Sequence, residues 1–261
     1  MKIGIIGSGN MASALLSGFL SSNIIETYNV YLSDTDEKKL ACWKEKGVNC
    51  YTDNDLVVEN SDIVIFAVKP NILTKVLEEL KVSASKIYLS IAAGFSIEKI
   101  QTFLGDGAKI VRAMPNTPAL VKCGMTVISV NKNVTLEEKV LVKKLLGSVG
   151  EVVELEEKFI NTATALHGSS PAYVYMLIDA MADSGVKHGL KKEEALLLAA
   201  KAVEGAAKMV LESDEHIMKL KDNVCSPGGT TIEAVLTLEK GGFKSCVQKA
   251  IDNCIEKADN M

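Results

Sequence analysis

The chain has 261 residues, of which 48% are apolar and 5% aromatic, and its formal net charge is −4. This charge gives no long-range attraction for nucleic acid, and no apolar run reaches the roughly 20 residues of a membrane span, so we expect neither partner. The six cysteines form no C-x-x-C pair. That spacing predicts no metal site and favours reduced thiols in a cytoplasmic protein.

The first twelve residues, MKIGIIGSGNMA, predict a buried strand over 2–6, a tight turn and a helix over 11–21. Gly7, Gly9 and Ala12 have the G-x-G-x-x-A spacing of a dinucleotide-binding loop. The first permits the turn, the second lets the backbone approach a pyrophosphate, and the third allows close helix–strand packing. The helix N-terminus then offers free N–H groups to the phosphates.

A second strand, predicted over 28–33, is followed by Asp34. An acid about 20 residues after the glycine loop is placed to hold a ribose hydroxyl, which favours NADH. Four nearby polar residues could instead accommodate the 2′-phosphate of NADPH, namely Ser33, Asn54, Lys38 and Lys39. The sequence leaves the choice between the two cofactors open.

Strands and helices continue to alternate up to about residue 155. Further strands are predicted over 62–68, 86–92, 109–114, 125–130 and 151–155, and helices over 37–46, 71–80, 97–103 and 136–148. Continuous apolar strands between helices are typical of a parallel sheet covered on both faces. We therefore predict an α/β fold with a doubly wound, Rossmann-like, mainly parallel sheet over residues 1–157. The last two strands could be added antiparallel, which the sequence leaves open.

After residue 158 the alternation stops. Helices are predicted over 159–189, 191–212, 216–224, 230–240 and 243–257. The segment EEALLLAAKAVEGAAKMVL is apolar almost all round, so this helix must be enclosed. We expect a second copy of the chain to enclose it in an interlocked dimer, with a monomer around one buried helix as the alternative. Residues 158–261 are predicted to form an all-helical substrate-binding and dimerisation domain.

Loops at the carboxyl ends of the strands are where an open α/β sheet binds ligands. Three such loops are predicted, with sequences AVKP at 67–70, IAAG at 91–94 and MPNTP at 114–118. Lys69 fits a phosphate or surface contact as well as it fits catalysis. Arg112, inside the strand before the third loop, is expected to be structural.

The helical half contains two further segments of interest. LHGSSPAY at 166–173 interrupts the first long helix with Gly, Ser and Pro, which carries a cost unless the break is used. DNVCSPGGTT at 222–231 is a glycine loop that leads into a helix N-terminus with two threonine hydroxyls. Such a start suits a carboxylate, with a hydroxyl that can donate to a nitrogen. In the alternative interpretation, Thr230 is an ordinary N-cap.

Taken together, MKIGIIGSGNMA, AVKP, MPNTP, GSSPAY, DSGVK and DNVCSPGGTT resemble the pyrroline-5-carboxylate reductase family, in order and up to about residue 255. The resemblance implies the last step of proline synthesis, in which NADPH or NADH reduces the C=N bond of 1-pyrroline-5-carboxylate to give L-proline. It also implies a homo-oligomer, in which the helical domain of a neighbouring subunit closes over the substrate.

The resemblance further implies roles for individual positions. The pyrophosphate would be held by Ile6, Gly7, Ser8, Gly9, Asn10 and Met11, and the adenosine ribose by Ser33, Asp34 and Asn54. The nicotinamide side would be lined by Ala67, Val68, Lys69, Pro70, Ala92 and Ala93, with Asn223 reaching the cofactor from the helical domain. Substrate would be bound by Ser226, Gly228, Gly229, Thr230 and Thr231, of which Thr231 is the catalytic residue because its hydroxyl meets the ring nitrogen.

His167 departs from the family pattern, which leads us to expect a small residue such as serine. Facing the substrate it would alter proton delivery; facing a partner helix it would only change packing, which is the interpretation we favour. Two other functions stay open. A 3-hydroxyacid dehydrogenase would require a lysine base at the start of the helical half, and residues 162–179 contain no lysine. A nucleotide-binding regulator without turnover is the second alternative.

Overall fold

The computed structural model describes residues 1–83 and 85–260. The chain divides into two compact units, one of Met1–Ser169 joined by the last residues from Lys257 onward, the other of Ser170–Glu256. The predicted boundary after residue 157 falls inside the first unit. The reason is local packing, because Ile160 lies in an apolar cluster with Met114 and Val127 of the first unit.

The first unit is built on one sheet, which has eight strands in the part of the chain that the structure describes. These are β1 (Ile3–Ile6), β2 (Val30–Ser33), β3 (Asn49–Tyr51), β4 (Ile63–Phe66), β5 (Ile87–Ser90), β6 (Lys109–Pro115), β7 (Gly124–Val130) and β8 (Gly150–Glu154). Their order across the sheet is β3-β2-β1-β4-β5-β6-β7-β8. The first six are mutually parallel, β7 is antiparallel to β6, and β8 is parallel to β7. The last two strands therefore run opposite to the rest.

Within the described residues of the first unit, seven helices precede the second unit and accompany the sheet. They are α1 (Asn10–Ser21), α2 (Glu37–Glu45), α3 (Asn54–Glu59), α4 (Pro70–Glu79), α5 (Ile97–Leu104), α6 (Leu136–Leu146) and α7 (Ile160–Ala163). The remaining helices are α8 (Ser170–Lys187), α9 (Lys192–Glu212), α10 (Ile217–Val224), α11 (Thr230–Lys240) and α12 (Phe243–Asp259). None of the helices in residues 1–83 and 85–260 is long and apolar enough to cross a membrane.

The sheet is covered on both faces, which explains its continuous apolar strands. Ile3 and Ile5 of β1 lie in one core cluster with Leu15 of α1, whereas Ile6 lies in a second cluster with Leu73 of α4. Successive side chains of a strand point to opposite faces, so both faces of β1 are buried. The predicted doubly wound sheet is confirmed.

Several predicted elements differ in extent. Strand β2 begins later than predicted because Thr27–Asn29 form a 3₁₀ turn. The strands predicted over 62–68 and 86–92 end at Phe66 and Ser90, so that the residues after them lie in loops. The helix predicted over 159–189 is wrong as a single element. A π turn at Thr164–Gly168 separates α7 from α8, which starts with Pro171 in its first turn, where proline is tolerated.

The second unit leaves much of its apolar surface uncovered. Helix α9 packs along α8 and buries Ala195 and Ala199, but Leu197 is 63% exposed and Leu211 is 86% exposed. A large exposed apolar face of this kind indicates an interaction surface. The enclosure predicted for α9 must therefore come from outside this unit.

Candidate cofactor and substrate sites

The loop between β1 and α1 contains two glycines that are required for different reasons. Gly7 has φ +97°, and its N–H donates to the Ser33 carbonyl at 2.8 Å. A Cβ on Gly7 would lie 2.8 Å from the Ala67 carbonyl oxygen, so only glycine fits. Gly9 is the N-cap of α1, and a Cβ built there meets nothing within 4 Å. The approach to the first N–H groups of α1 is therefore open.

Those N–H groups are available to a ligand. Across the described part of the chain, no side chain caps α1, and its first turn, which begins with Asn10 and Met11, contains no acidic residue. Unpaired N–H groups and the positive end of the helix dipole attract phosphate. Ile6 is buried at the end of β1, directly before the loop.

Asp34 is the most firmly held polar side chain of this region. One carboxylate oxygen accepts the backbone N–H of Ser8 at 2.9 Å and its hydroxyl at 2.7 Å, and the other accepts the N–H of Asp36 at 2.9 Å. Partial burial raises the pKa of Asp34, but these hydrogen bonds and the charge of Lys39 outweigh it and hold the pKa below its ordinary value. Asp34 is therefore a fixed anion at neutral pH.

The remaining residues predicted for the ribose also come together. Ser33 is buried, and its hydroxyl donates to the side-chain oxygen of Asn54 at 2.7 Å. Asn54 opens α3, whose N-cap is Asp53. The main-chain pairing of β1 with β2 brings Ile6 level with Ser33, so all of these groups lie at the same edge of the sheet.

The residues predicted for the nicotinamide side lie in loops after β4 and β5. The N–H of Ala67 donates to the Ile6 carbonyl at 2.9 Å, which places the loop with Val68 beside the glycine loop. Lys69 is the exposed N-cap residue of α4, and Pro70 follows in its first turn. After β5, Ala92 is buried and its N–H donates to the Ser90 hydroxyl at 3.3 Å, while Ala93 is half-buried.

In the second unit, the loop between α10 and α11 builds a second helix start. Gly228 has φ +66°, and the N–H of Gly229 donates to the Ser226 carbonyl at 3.0 Å. A Cβ on Gly229 would lie 3.1 Å from the Ser226 carbonyl oxygen and would require the Ser226 hydroxyl to move. Gly229 is the N-cap of α11, so the alternative interpretation of Thr230 as the cap is wrong. No side-chain cap is found here among the described residues.

The side chains around this second start are accessible. Thr230 is exposed and Thr231 half-buried in the first turn of α11, and Asn223 is exposed in the last turn of α10. Backbone N–H groups beside two hydroxyls give an anion grip with added donors. This is the kind of arrangement that a small carboxylate with a nearby nitrogen requires.

The ring of His167 lies between two backbone carbonyl oxygens. Its Nδ1 lies 2.6 Å from the Ala163 carbonyl oxygen and its Nε2 lies 2.8 Å from that of Met114. The imidazole therefore connects the π turn to the end of β6. Asn116 strengthens this connection, because its amide group donates to the His167 carbonyl at 2.9 Å and its oxygen accepts the Met125 N–H at 2.8 Å.

Arg112 is structural, as predicted. It is buried, and its guanidinium donates to Glu157 at 3.2 Å and to Asn161 at 3.1 Å. Glu157 also accepts the N–H of Ile97 at the start of α5, and Asn161 donates to Asp259 at 2.9 Å. One buried cation thus connects the starts of two helices with the end of α12.

A doubly wound sheet, a glycine loop that opens onto an uncapped helix, and an acid after the second strand define a dinucleotide-binding protein of the Rossmann class. The pyrroline-5-carboxylate reductase of Escherichia coli (strain K12) is 43% identical over 263 residues, which cover 100% of this chain and 98% of that protein. This chain therefore belongs to the pyrroline-5-carboxylate reductase family.

Other comparisons agree with this family. A family model described as pyrroline-5-carboxylate reductase dimerisation matches residues 157–261, and one described as NADP oxidoreductase, coenzyme F420-dependent, matches residues 2–94. Pyrroline-5-carboxylate reductase 2 of Homo sapiens is 40% identical, covering 98% of this chain and 82% of that protein. The solved Plasmodium falciparum pyrroline carboxylate reductase with NADP bound is 37% identical with a TM-score of 0.90, covering 99% of this chain and 97% of that one.

Proposed function

We propose that this protein reduces 1-pyrroline-5-carboxylate to L-proline at the expense of NADH or NADPH. In this reaction a hydride adds to the imine carbon and one proton is taken up at nitrogen, so that C=N becomes CH–NH. The observation that carries the proposal is the start of α11, where an uncapped helix N-terminus and two threonines follow a glycine turn. A cyclic imine with a carboxylate is the substrate that such a start suits.

The first unit fits a dinucleotide. The open space over Gly9 admits a pyrophosphate to the N–H groups at the start of α1, and Asp34 with Ser33 and Asn54 bounds the ribose position. When bound, the reduced nicotinamide supplies the hydride. The small side chains Ala67, Ala92 and Ala93 leave room for a flat ring beside the backbone. Asn223 is proposed to reach the cofactor from α10.

The second unit supplies the substrate grip. The N–H groups of Thr230 and Thr231, at the positive end of α11, are proposed to hold the carboxylate. When the imine is unprotonated, the hydroxyl of Thr231 donates a hydrogen bond to the ring nitrogen, which makes the imine carbon more electrophilic. When the imine is protonated, its N–H donates to the same hydroxyl oxygen instead. A strong general acid is not required when the imine arrives protonated, so most of the rate gain comes from holding two rings at reacting distance.

The helical half is also proposed to carry the assembly. We assign residues 1–157 to cofactor binding and residues 158–261 to substrate binding and homodimer formation, with higher homo-oligomers open. The support is the uncovered face of α9 together with the dimerisation model matched over residues 157–261. None of the six cysteines, all of which lie in the described residues, forms a disulfide, which supports a reducing compartment such as the cytoplasm.

The test is steady-state consumption of NADH and NADPH by the purified full chain. We expect either cofactor to be oxidised only when pyrroline-5-carboxylate is added, with proline as the product. Oxidation of 3-hydroxy acids with no imine reduction would overturn the proposal in favour of the dehydrogenase. Cofactor binding without either activity would overturn it in favour of a nucleotide-binding regulator.

A further inference from the structure

In the described part of the chain, three donors contact the Asp34 carboxylate, which leaves one acceptor position open where a dinucleotide ribose lies. Asp34 directly follows β2, and the Gly7 N–H on the neighbouring strand donates to the Ser33 carbonyl at 2.8 Å. In Rossmann proteins the adenosine ribose lies between the glycine loop and the end of the second strand. Asp34 is therefore beside the 2′ position, the only place where NADH and NADPH differ.

The hydrogen bonds of Asp34 show what it can still accept. A carboxylate offers about four acceptor positions, two on each oxygen. Ser8 fills both positions of one oxygen with its N–H and its hydroxyl, whereas Asp36 fills one position of the other. One position remains for a donor. A 2′-hydroxyl is a donor, but a dianionic phosphate offers acceptors only, so it cannot form this bond.

The surrounding charges do not compensate a 2′-phosphate. Residues 34–39 contain three carboxylates and two lysines. A phosphate monoester carries about −1.5 to −2 charges at pH 7, so it meets a net negative segment. Asp34 cannot turn away without breaking three hydrogen bonds. The Ser33 hydroxyl, another candidate donor to the phosphate, is used by Asn54.

We propose that this chain uses NADH in preference to NADPH, and that Asp34 sets this preference by accepting the 2′-hydroxyl and repelling the 2′-phosphate. The inference rests on the proposed function only in requiring a nicotinamide dinucleotide.

The test compares both cofactors in the same protein, so that a loss of folding lowers both values together. For the full chain, dissociation constants come from the fluorescence of the reduced nicotinamide, and kcat/KM from imine reduction. We expect NADH to be favoured by at least about 10-fold, as one charged hydrogen bond provides. Asp34→Ser is expected to cancel or invert this ratio. Asp34→Asn, which keeps an acceptor but removes the charge, should fall between the two.

Asp36→Asn is the matched control, because it removes a carboxylate two residues away while keeping a side-chain oxygen as the N-cap of α2. This control should change the ratio less than Asp34→Asn does, because it leaves the Asp34 carboxylate and its hydrogen bonds in place. A parent that favours NADPH, or an Asp34→Ser variant with an unchanged ratio, would overturn the inference. Tighter NADH binding without imine reduction would contradict the proposed reaction and leave the role of Asp34 intact, so the two failures are distinguishable.

Discussion

Substitution of either of two glycines in the β1–α1 loop by alanine adds one methyl group. The two substitutions should affect different properties, namely the stability of the fold and the affinity for the cofactor. We expect Gly7→Ala to destabilise the fold and Gly9→Ala to leave the fold intact but weaken cofactor binding. The difference arises because Gly7 has φ +97° and lies against the Ala67 backbone and the Val68 side chain, whereas Gly9 has φ −68° and faces open space.

The magnitudes follow from the contacts. An L-residue at the positive φ of Gly7 costs about 1–2 kcal/mol, and relieving the contacts of its Cβ with Ala67 and Val68 costs about 1–3 kcal/mol more. The lower conformational entropy of the unfolded variant raises the unfolding free energy by about 0.4–1 kcal/mol. Gly7→Ala should therefore lose about 1–5 kcal/mol of unfolding free energy. At Gly9, the weaker N-cap costs roughly 0.5–1 kcal/mol, which the same entropy gain offsets.

The assay has two parts at one fixed protein concentration. Urea unfolding followed by circular dichroism, without cofactor, measures stability, since a bound ligand would add to it. A fluorescence titration with NADH then measures affinity. For Gly9→Ala we expect a loss of at least about 10-fold in affinity, or ~1.4 kcal/mol. Equal unfolding free energies for the two variants, or parental NADH affinity in Gly9→Ala, would refute this account of the loop.

Three further predictions concern other parts of the molecule. Thr231→Ala should lower turnover by about 10²-fold while Thr231→Ser, which keeps the hydroxyl, retains most of it; equal rates would remove this hydroxyl from the mechanism. Leu198→Glu on the exposed face of α9 should shift the protein to smaller species in sedimentation velocity, whereas Leu198→Met should not, and a stable parental monomer would contradict the dimer. Hydrogen bonds from Lys143 and Lys139 lower the pKa of Glu154, so its contribution is complete above pH 4.5 and is lost as the pH falls through the lowered pKa. Glu154→Gln should reduce the loss of unfolding free energy at acid pH. If the unfolding free energy depends on pH as in the parent protein, the ion pairs of Glu154 with the two lysines do not contribute.

The features that the sequence predicts best are those with strict local requirements. The strand–turn–helix of the glycine loop was predictable because each small residue meets one requirement of the backbone. The buried strands were predictable because their apolar runs are continuous. Strand β3 and helix α3 were missed. They comprise three and six residues, too few to show a period, and the only local sign is the capping Asp53 before α3.

Contacts between distant residues account for the rest. The bonds from Ser8 to Asp34 join residues 26 apart, and they exist because β1 and β2 pair in a particular register. Both donors of Ser8, a residue predicted to bind pyrophosphate, are thereby used to hold an acid. The ring of His167 contacts a carbonyl 53 residues earlier, at the end of β6. For Asn116, the two prolines beside it were a usable signal, because they indicate a rigid loop.

The buried guanidinium of Arg112 links segments that are far apart in the chain through hydrogen bonds. Through Glu157 it reaches the amide of Ile97, and through Asn161 it reaches Asp259. Trimming the chain before Asp259 would remove the 2.9 Å bond of the Asn161 amide and leave only its longer bond to the Ala258 carbonyl at 3.4 Å. The hold on Arg112 would loosen, and the acceptor of the Ile97 N–H would weaken. Hydrogen–deuterium exchange at that single amide would then report on damage at the far end of the polypeptide.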